Sequence, residues 1–303
     1  MKFEVTILGS SSATPIYNRN PTSQALNIND RLYLIDCGEG TQQQMLKFDV
    51  KASRIDHIFI SHLHGDHYLG LVGLLSSMHL NGRIKPLKLY CPEQLKEIID
   101  LQLKCSETTL QYPIEYKFTN PADAEVILEN PDITVETIPL DHGIACTGFL
   151  FRERKRLRKL IKEKIDTFNI PAEYYPALKK GADYVAPDGK VYKNESLTLD
   201  SDAPKIYAYC SDTLYNERYF EQINNATLLY HEATFLNNML ERANGTRHTT
   251  ALQAGEAALK TNAEKLLIGH FSARYKTLIE LLDEARSVFP ATELAVEGKV
   301  FVI

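Results

Sequence analysis

The stretch "FISHLHGDHYLG", residues 59 to 70, closes an apolar strand-like run with three histidines and an aspartate in six positions: His62, His64, Asp66 and His67. At the end of an extended strand, side chains two residues apart share a face, so the His62 and His64 rings point together. Asp66 and His67 follow on the turn and approach from another side. A lone histidine in such a place would be read as structural. Four metal-type side chains in one loop are read as a metal site, and the loop has enough donors for two ions. Imidazole and carboxylate suit zinc or manganese, and a ligand set without cysteine leaves positions for exchangeable water, as catalytic sites need. The fold must therefore end a buried strand in an open loop and bring further ligands to it.

The rest of the chain supplies such strand ends. "KFEVTILG" alternates, with Phe3, Val5 and Ile7 on one face, and "LYLID", "HIFISH", "LKLYC", "ITVETIPL", "KIYAYCSD", "ATLLYHEA" and "KLLIGHFS" read as short, mostly buried strands. Between them "GEGTQQQMLKF", "GLVGLLSSMHL", "PEQLKEIIDLQLK", "TALQAGEAALKTN" and "YKTLIELLDEARSVF" carry helical spacing, with Pro92 at a helix start. This alternation gives an α/β protein with two sheets covered by helices. Asp36, His62, His142, Asp212, His231 and His270 each follow an apolar run, so a shared sheet edge would make them converge.

At 303 residues the chain is expected to be one large domain with an insertion. No leader pattern precedes the first strand and no apolar stretch of membrane-spanning length occurs, so a cytoplasmic protein without a membrane partner is expected. Five dispersed cysteines, Cys37, Cys91, Cys105, Cys146 and Cys210, form no CxxC pair and read as buried small apolar residues. The net charge of −5 hides an asymmetry. Arg152 to Lys164, "RERKRLRKLIKEK", carries eight basic residues against two acidic ones, a balance of +6 that leaves the remainder at −11. Residues 152 to 200 break the strand and helix alternation, open as a basic helix and continue with Pro171, Pro176, Gly181, Pro187 and Gly189. An insertion projecting from the body is expected there; a solvated surface helix is the plainer reading of the charge run.

The loop fits the HxHxDH signature of the metallo-β-lactamase superfamily. Asp36 in "LIDCGEGT", His142 in "LDHGI", Asp212 in "YCSDT" and His270 in "IGHFS" resemble that superfamily's other motifs, in order. The resemblance implies a four-layer αββα sandwich, one metal on His62, His64 and His142, a second on Asp66, His67 and His270, and Asp212 bridging both. Two zinc ions per subunit, or other divalent metals, are implied, and such pairs serve hydrolysis. Asp36 would accept the free N–H of a ligand histidine, or would be a turn aspartate before Gly38.

"HEATF" (231 to 235), "RHTTALQAG" (247 to 255) and "GHFSARY" (269 to 275) narrow the match. With the metal loop they closely resemble the ribonuclease Z (tRNase Z) family, over essentially the whole chain. That resemblance implies an endoribonuclease that removes the 3′ trailer of precursor tRNA, leaving a tRNA 3′-hydroxyl and a 5′-phosphate on the trailer. It implies His248 as proton donor to the leaving oxygen, Glu232 as the group orienting it, and Asp66 as metal ligand and acceptor of the water's proton. Without "HEATF", His248 would be read as a polar cap on a helix beginning near Thr249. His231, His57 and His79 are read as structural or surface residues.

Arg274 and Tyr275 suit phosphate contact and base stacking, or support of the following helix. In the family's loop near the RNA 3′ end, this chain has Tyr17 and Asn18 before Arg19 in place of the usual lysine. The insertion corresponds to the family's flexible tRNA-binding arm, often used across a homodimer. Arg152, Arg154, Lys155, Arg156, Arg158 and Lys159 would grip phosphates there by counterion release. The Gly-Pro pair usual at the arm tip is absent. Two other readings compete: a phosphodiesterase acting on small cyclic or artificial diesters, and an RNA-binding protein whose metal is structural.

Overall fold

The computed structural model of the protein describes residues 2 to 303. Its body, residues up to 152 together with Ile206–Ile303, is one compact unit, and Glu153–Lys205 forms a second. Along the chain the strands and helices of the body begin with β1 (Phe3–Gly9), β2 (Ser23–Ile28), β3 (Arg31–Ile35), α1 (Thr41–Lys47), β4 (Ile55–Phe59), α2 (Gly65–Tyr68) and α3 (Leu71–Leu80). They continue with β5 (Leu87–Cys91), α4 (Gln94–Cys105), β6 (Ile114–Phe118), β7 (Val126–Glu129), β8 (Ile133–Leu140) and β9 (Cys146–Glu153). In the insertion lie β10 (Lys159–Leu160), α5 (Lys162–Thr167), α6 (Tyr175–Lys179), β11 (Tyr184–Val185), β12 (Val191–Tyr192), α7 (Asn194–Leu197) and β13 (Thr198–Leu199). The body resumes with β14 (Ile206–Cys210), β15 (Leu228–Glu232), α8 (Leu240–Thr246), α9 (Ala251–Lys260), β16 (Leu266–Gly269), α10 (Ile279–Val288), β17 (Thr292–Leu294) and β18 (Val300–Val302).

Two seven-stranded sheets result, ordered β18-β1-β2-β3-β4-β5-β6 and β17-β16-β15-β14-β9-β8-β7. Each apolar run named above forms a strand because both its faces are covered. Phe3, Val5, Ile7, Tyr33 and Phe59 of the first sheet meet Phe149, Phe151, Tyr207, Tyr209 and Tyr230 of the second in the central layer. Aromatic pairs such as Phe59 on Tyr90 (4.4 Å, stacked) fill it. The outer face of the first sheet packs Leu34, Ile58 and Leu89 against Leu71, Leu74, Leu95 and Ile99 of α3 and α4. The outer face of the second packs Leu229 and Ile268 against Ala254, Ala258, Leu281 and Ala285 of α9 and α10. This is the expected four-layer αββα sandwich.

Parallel pairing decides where the polar strand ends fall. β3, β4 and β5 run parallel, as do β14, β15 and β16, so their C-terminal ends share an edge within each sheet. Asp36 follows β3, the HxHxDH loop follows β4, Asp212 follows β14, Glu232 ends β15 and His270 follows β16. Cys105 departs from the expectation for the cysteines: it ends α4 and is exposed, while the other four are buried.

The insertion differs from its sequence reading in three ways. Its basic opening is not a helix: residues 154 to 158 are irregular and the first helix begins at Lys162. Like charges recur three and four residues apart in "RERKRLRK", which opposes a helix. Second, the bound lies at Lys205 rather than 200, and the added residues matter, because Asp200 pairs with Arg158 and Asp202 with Lys159 (3.1 Å). Arg156 likewise reaches Glu153 at 2.9 Å. The unit carries twelve basic and nine acidic residues, a net charge of +3 rather than a bare +6 stripe. Third, it has its own core of Ile165, Ile170, Leu178, Tyr184 and Leu197, cross-tied by buried Asn194, whose amide donates to Leu178 O and Ala182 O (2.8 and 2.7 Å). Its β11–β12 hairpin turns through Gly189 in the left-handed conformation.

Candidate metal centre and acid pair

The one-turn helix α2 turns the chain just after β4, which separates the candidate ligands His62 and His64 from Asp66 and His67. Asp36 holds this loop. Its Oδ1 accepts Ser61 N (2.7 Å), and its Oδ2 accepts Ser61 Oγ (2.9 Å), Tyr209 Oη (2.6 Å) and His67 Nδ1 (2.8 Å). The residue is fully buried and has a φ of 53°, a strained conformation away from glycine that the surrounding bonds enforce. Asp36 is thus no simple turn residue.

The ring tautomers follow from the outer partners. Arg247 O can only accept, so His142 Nδ1, 2.9 Å away, is the donor and Nε2 is left with a lone pair. The Asp36 carboxylate fixes His67 in the same way. Ser61 Oγ gives its proton to Asp36, so it accepts from His62 Nδ1 at 3.0 Å. The freed inner nitrogens converge. His62 Nε2 and His142 Nε2 lie 3.2 and 3.1 Å from His64 Nδ1, and His67 Nε2 lies 3.3 Å from His270 Nε2. Asp212 stands between the groups, with Oδ2 3.6 and 3.8 Å from the Nε2 atoms of His62 and His142, and Oδ1 3.5 and 3.2 Å from those of His67 and His270.

These donors fit divalent cations. Lone pairs facing each other at such distances repel unless positive charge lies between them. The buried Asp212 Oδ1 has no hydrogen-bond partner among the described residues. Burial lowers the basicity of His67, yet Asp212, Asp66 and Asp36 together raise it well above its usual value. The ligand atoms of His62, His64, His142 and Asp212 lie within 4.8 Å of one another, as do those of Asp66, His67 and His270.

Beside this cluster lies the Glu232–His248 pair. Glu232 is fully buried, and its Oε1 accepts His248 Nδ1 at 2.9 Å and Thr213 N at 3.0 Å. Burial works against charge on His248, but the Glu232 carboxylate outweighs it and pushes the ring up to about 9. The chain enters His248 from α8, which closes on Arg247 in the left-handed conformation with His248 N donating to Ala243 O (2.8 Å). The helix-cap reading of His248 fails: α9 begins at Ala251, and Thr250 caps it in a capping box with Gln253. Its Nε2 is left for the cleft of about 330 Å³, whose walls include His64, Asp66, Asp212, His248 and His270.

The remaining candidates sort by position. His231 is fully buried between Tyr219 Oη and Glu232 O (both 2.8 Å), His57 meets Tyr90 Oη at 3.2 Å, and His79 Nδ1 accepts Gln111 N at 3.1 Å. Tyr275 is half-buried against the second sheet's outer core; its hydroxyl accepts Leu236 N (3.0 Å) and its carbonyl accepts Arg19 (2.7 Å), which ties the residue into the framework. Arg274 is exposed, 5.8 Å over Phe235. Ser61, Thr234 and the Ala13 amide, which donates to Asp66 Oδ2 at 2.7 Å, escaped the sequence reading. The hydroxyls flanking "HLHGDH" and "HEA" were visible signals; a main-chain donor leaves none.

The family model described as anti-Pycsar protein Apyc1 matches residues 3–157, the half that carries the HxHxDH loop and His142. A ribonuclease Z from Bacteroides fragilis strain YCH46 is 46% identical over 297 residues, 98% of each chain. Another from Cytophaga hutchinsonii is 46% identical over 307 aligned residues, covering 100% of this chain and 97% of its own. Among solved structures, human tRNase Z, short form, superposes with a TM-score of 0.71 at 24% identity over 98% of both chains. The metallo-β-lactamase fold protein YhfI from Bacillus subtilis gives 0.70 at 18% identity over 99% of both. The solved structures carry the fold, and identity of 46% sustained from end to end carries more: the chain belongs to the ribonuclease Z family.

Proposed function

We propose that the protein is a zinc-dependent endoribonuclease that removes the 3′ trailer of precursor tRNA, leaving a 3′-hydroxyl on the tRNA and a 5′-phosphate on the trailer. The observation that carries this reading is the Glu232–His248 pair opening into the same cleft as Asp66 and Asp212, in a chain of the ribonuclease Z family. His62, His64 and His142 would hold one zinc ion, Asp66, His67 and His270 a second, and Asp212 both. When bound, such ions supply Lewis-acid charge to the phosphate and acidify water.

The chain's own residues divide the proton work. As the P–O3′ bond breaks, the departing O3′ takes a proton from His248 Nε2, and Glu232 stabilises the doubly protonated ring that supplies it. The attacking water's proton goes to Asp66, whose carboxylate is fixed by the Ala13 amide and kept below the ordinary carboxyl range, against burial, by His67 and His270. Asp66→Ala is expected to abolish cleavage while tRNA binding, followed by gel shift, falls far less; parallel losses would count against the role.

The insertion is proposed to hold the tRNA through phosphate contacts, in a homodimer whose arm serves the partner's centre; the cytoplasm is the proposed location. No helix among the described residues is long and apolar enough to cross a membrane. Hydrolysis of small phosphodiesters is a second reading, favoured by the confinement of every centre residue to the body. The decisive assay incubates the protein with an unprocessed tRNA, with and without chelator, using transcripts that encode or lack CCA. A chelator-sensitive cut after the discriminator base is expected. Binding without metal-dependent product would leave only an RNA-binding protein with a structural metal.

A further inference from the structure

Thr234 lies two residues beyond Glu232, buried at the end of β15, and its hydroxyl touches groups of both functions. Oγ1 is 2.6 Å from Glu232 Oε2 and 2.9 Å from His270 Nδ1. We propose that Thr234 is a positioning residue for the metal ligand His270, so that Glu232 orients two rings at once, His248 directly and His270 through the threonine hydroxyl.

A hydroxyl has one proton. The Glu232 carboxylate can only accept, so that proton points to Oε2, and toward His270 the oxygen can only accept. His270 must then carry its hydrogen on Nδ1, which leaves Nε2 a lone pair. That Nε2 is the atom facing the centre, 3.3 Å from His67 Nε2, 3.3 Å from Asp66 Oδ2 and 3.2 Å from Asp212 Oδ1. His270 itself sits at a φ of 60°, uncommon away from glycine, and Thr234 Oγ1 is the side-chain partner of its Nδ1. Thr234 is itself held from two sides, its N–H donating to Glu232 Oε2 (3.1 Å) and its carbonyl accepting Ser272 N (3.2 Å). His248 Nδ1 is farther from the hydroxyl, 3.4 Å, and has Glu232 Oε1 at 2.9 Å as its own acceptor.

The inference rests on His270 being a metal ligand, and its test is a metal-binding measurement independent of tRNA cleavage. Zinc affinity is measured by competition with a chromogenic chelator for the full-length protein and for Thr234→Val and Thr234→Ser. Thr234→Val keeps the shape, removes the acceptor and strands the His270 Nδ1 proton in a buried place. Its zinc affinity is expected to fall about 10- to 100-fold, the usual effect of removing a ligand's outer partner. Half-maximal cleavage should require correspondingly more zinc, and Thr234→Ser should restore both. Nitrogen-15 NMR of the metal-free wild-type protein reports the same point without any substitution, with the His270 proton expected on Nδ1. Unchanged zinc affinity in Thr234→Val, equal losses in the serine variant, or an unprotonated His270 Nδ1 would each overturn the proposal. A wild-type protein that binds zinc but cuts no tRNA would instead overturn the proposed function and leave this role standing.

Discussion

Replacing His248 by asparagine is expected to slow single-turnover cleavage of a precursor tRNA by about 10²- to 10⁴-fold, the range that a positioned general acid contributes. Zinc content and tRNA affinity should hold, because His248 makes its one strong bond to Glu232 and the proposed metal ligands have other outer partners: Asp36 for His67, Arg247 O for His142 and Ser61 for His62. The size of the deficit does not by itself identify an acid. A substrate with sulfur in place of the bridging O3′ does, since a thiolate departs without protonation. His248→Asn should therefore recover most of its loss on the sulfur-bridged precursor relative to wild type. An equal deficit on both substrates would falsify proton donation and leave His248 a role in substrate placement.

Removing the insertion should separate RNA recognition from chemistry. Arg152 and Ile206 are direct partners across the antiparallel β9–β14 pair, followed by Phe151 with Tyr207. The chain leaves the sheet and returns at neighbouring positions, so an Asn-Gly turn can join Arg152 to Ile206 without disturbing the register. Loss of precursor tRNA cleavage on the order of 10²-fold or more in kcat/KM is expected at physiological salt, together with a flatter salt dependence. Each lost phosphate contact removes about 0.7 to 0.9 from the slope of log K against log salt. Hydrolysis of a small chromogenic diester should persist, because every residue of the centre lies in the body. If both activities fell together, the insertion would be a support for the body and not an RNA arm.

What could be read in advance followed from where the chemistry resides. "KIYAYC", "ATLLYHE" and "KLLIG" had to be interior strands because nearly all their side chains are apolar, and the polar residues just beyond them could lie only at an edge. β2 was not visible, since "SQALNI" buries Ser23 and Gln24, and its sense comes from partners such as the Tyr207 hydroxyl, which donates to Gln24 from 183 residues away. The basic run misled for a similar reason. Arg158 and Lys159 meet carboxylates more than 40 residues later, so their charge was not free to set the character of the segment. At the centre, the candidate ligands stand out by residue type, and the fold brings them together. The atoms fixing their tautomers, Arg247 O, Ser61 Oγ and Thr234 Oγ1, belong to groups found throughout any sequence.

The ligand set also has a consequence for synthesis. The candidate ligands His62, His64, Asp66 and His67 come from the first sheet's edge, while Asp212 and His270 come from the second, whose strands β14 to β17 are translated after every strand of the first sheet except β18. A nascent or truncated chain that ends between residues 206 and 269 carries the whole HxHxDH loop and the insertion, yet lacks His270 and with it a complete set of candidate ligands. On the proposed ligand set, such a fragment is expected to cut no tRNA until residue 270 has been added.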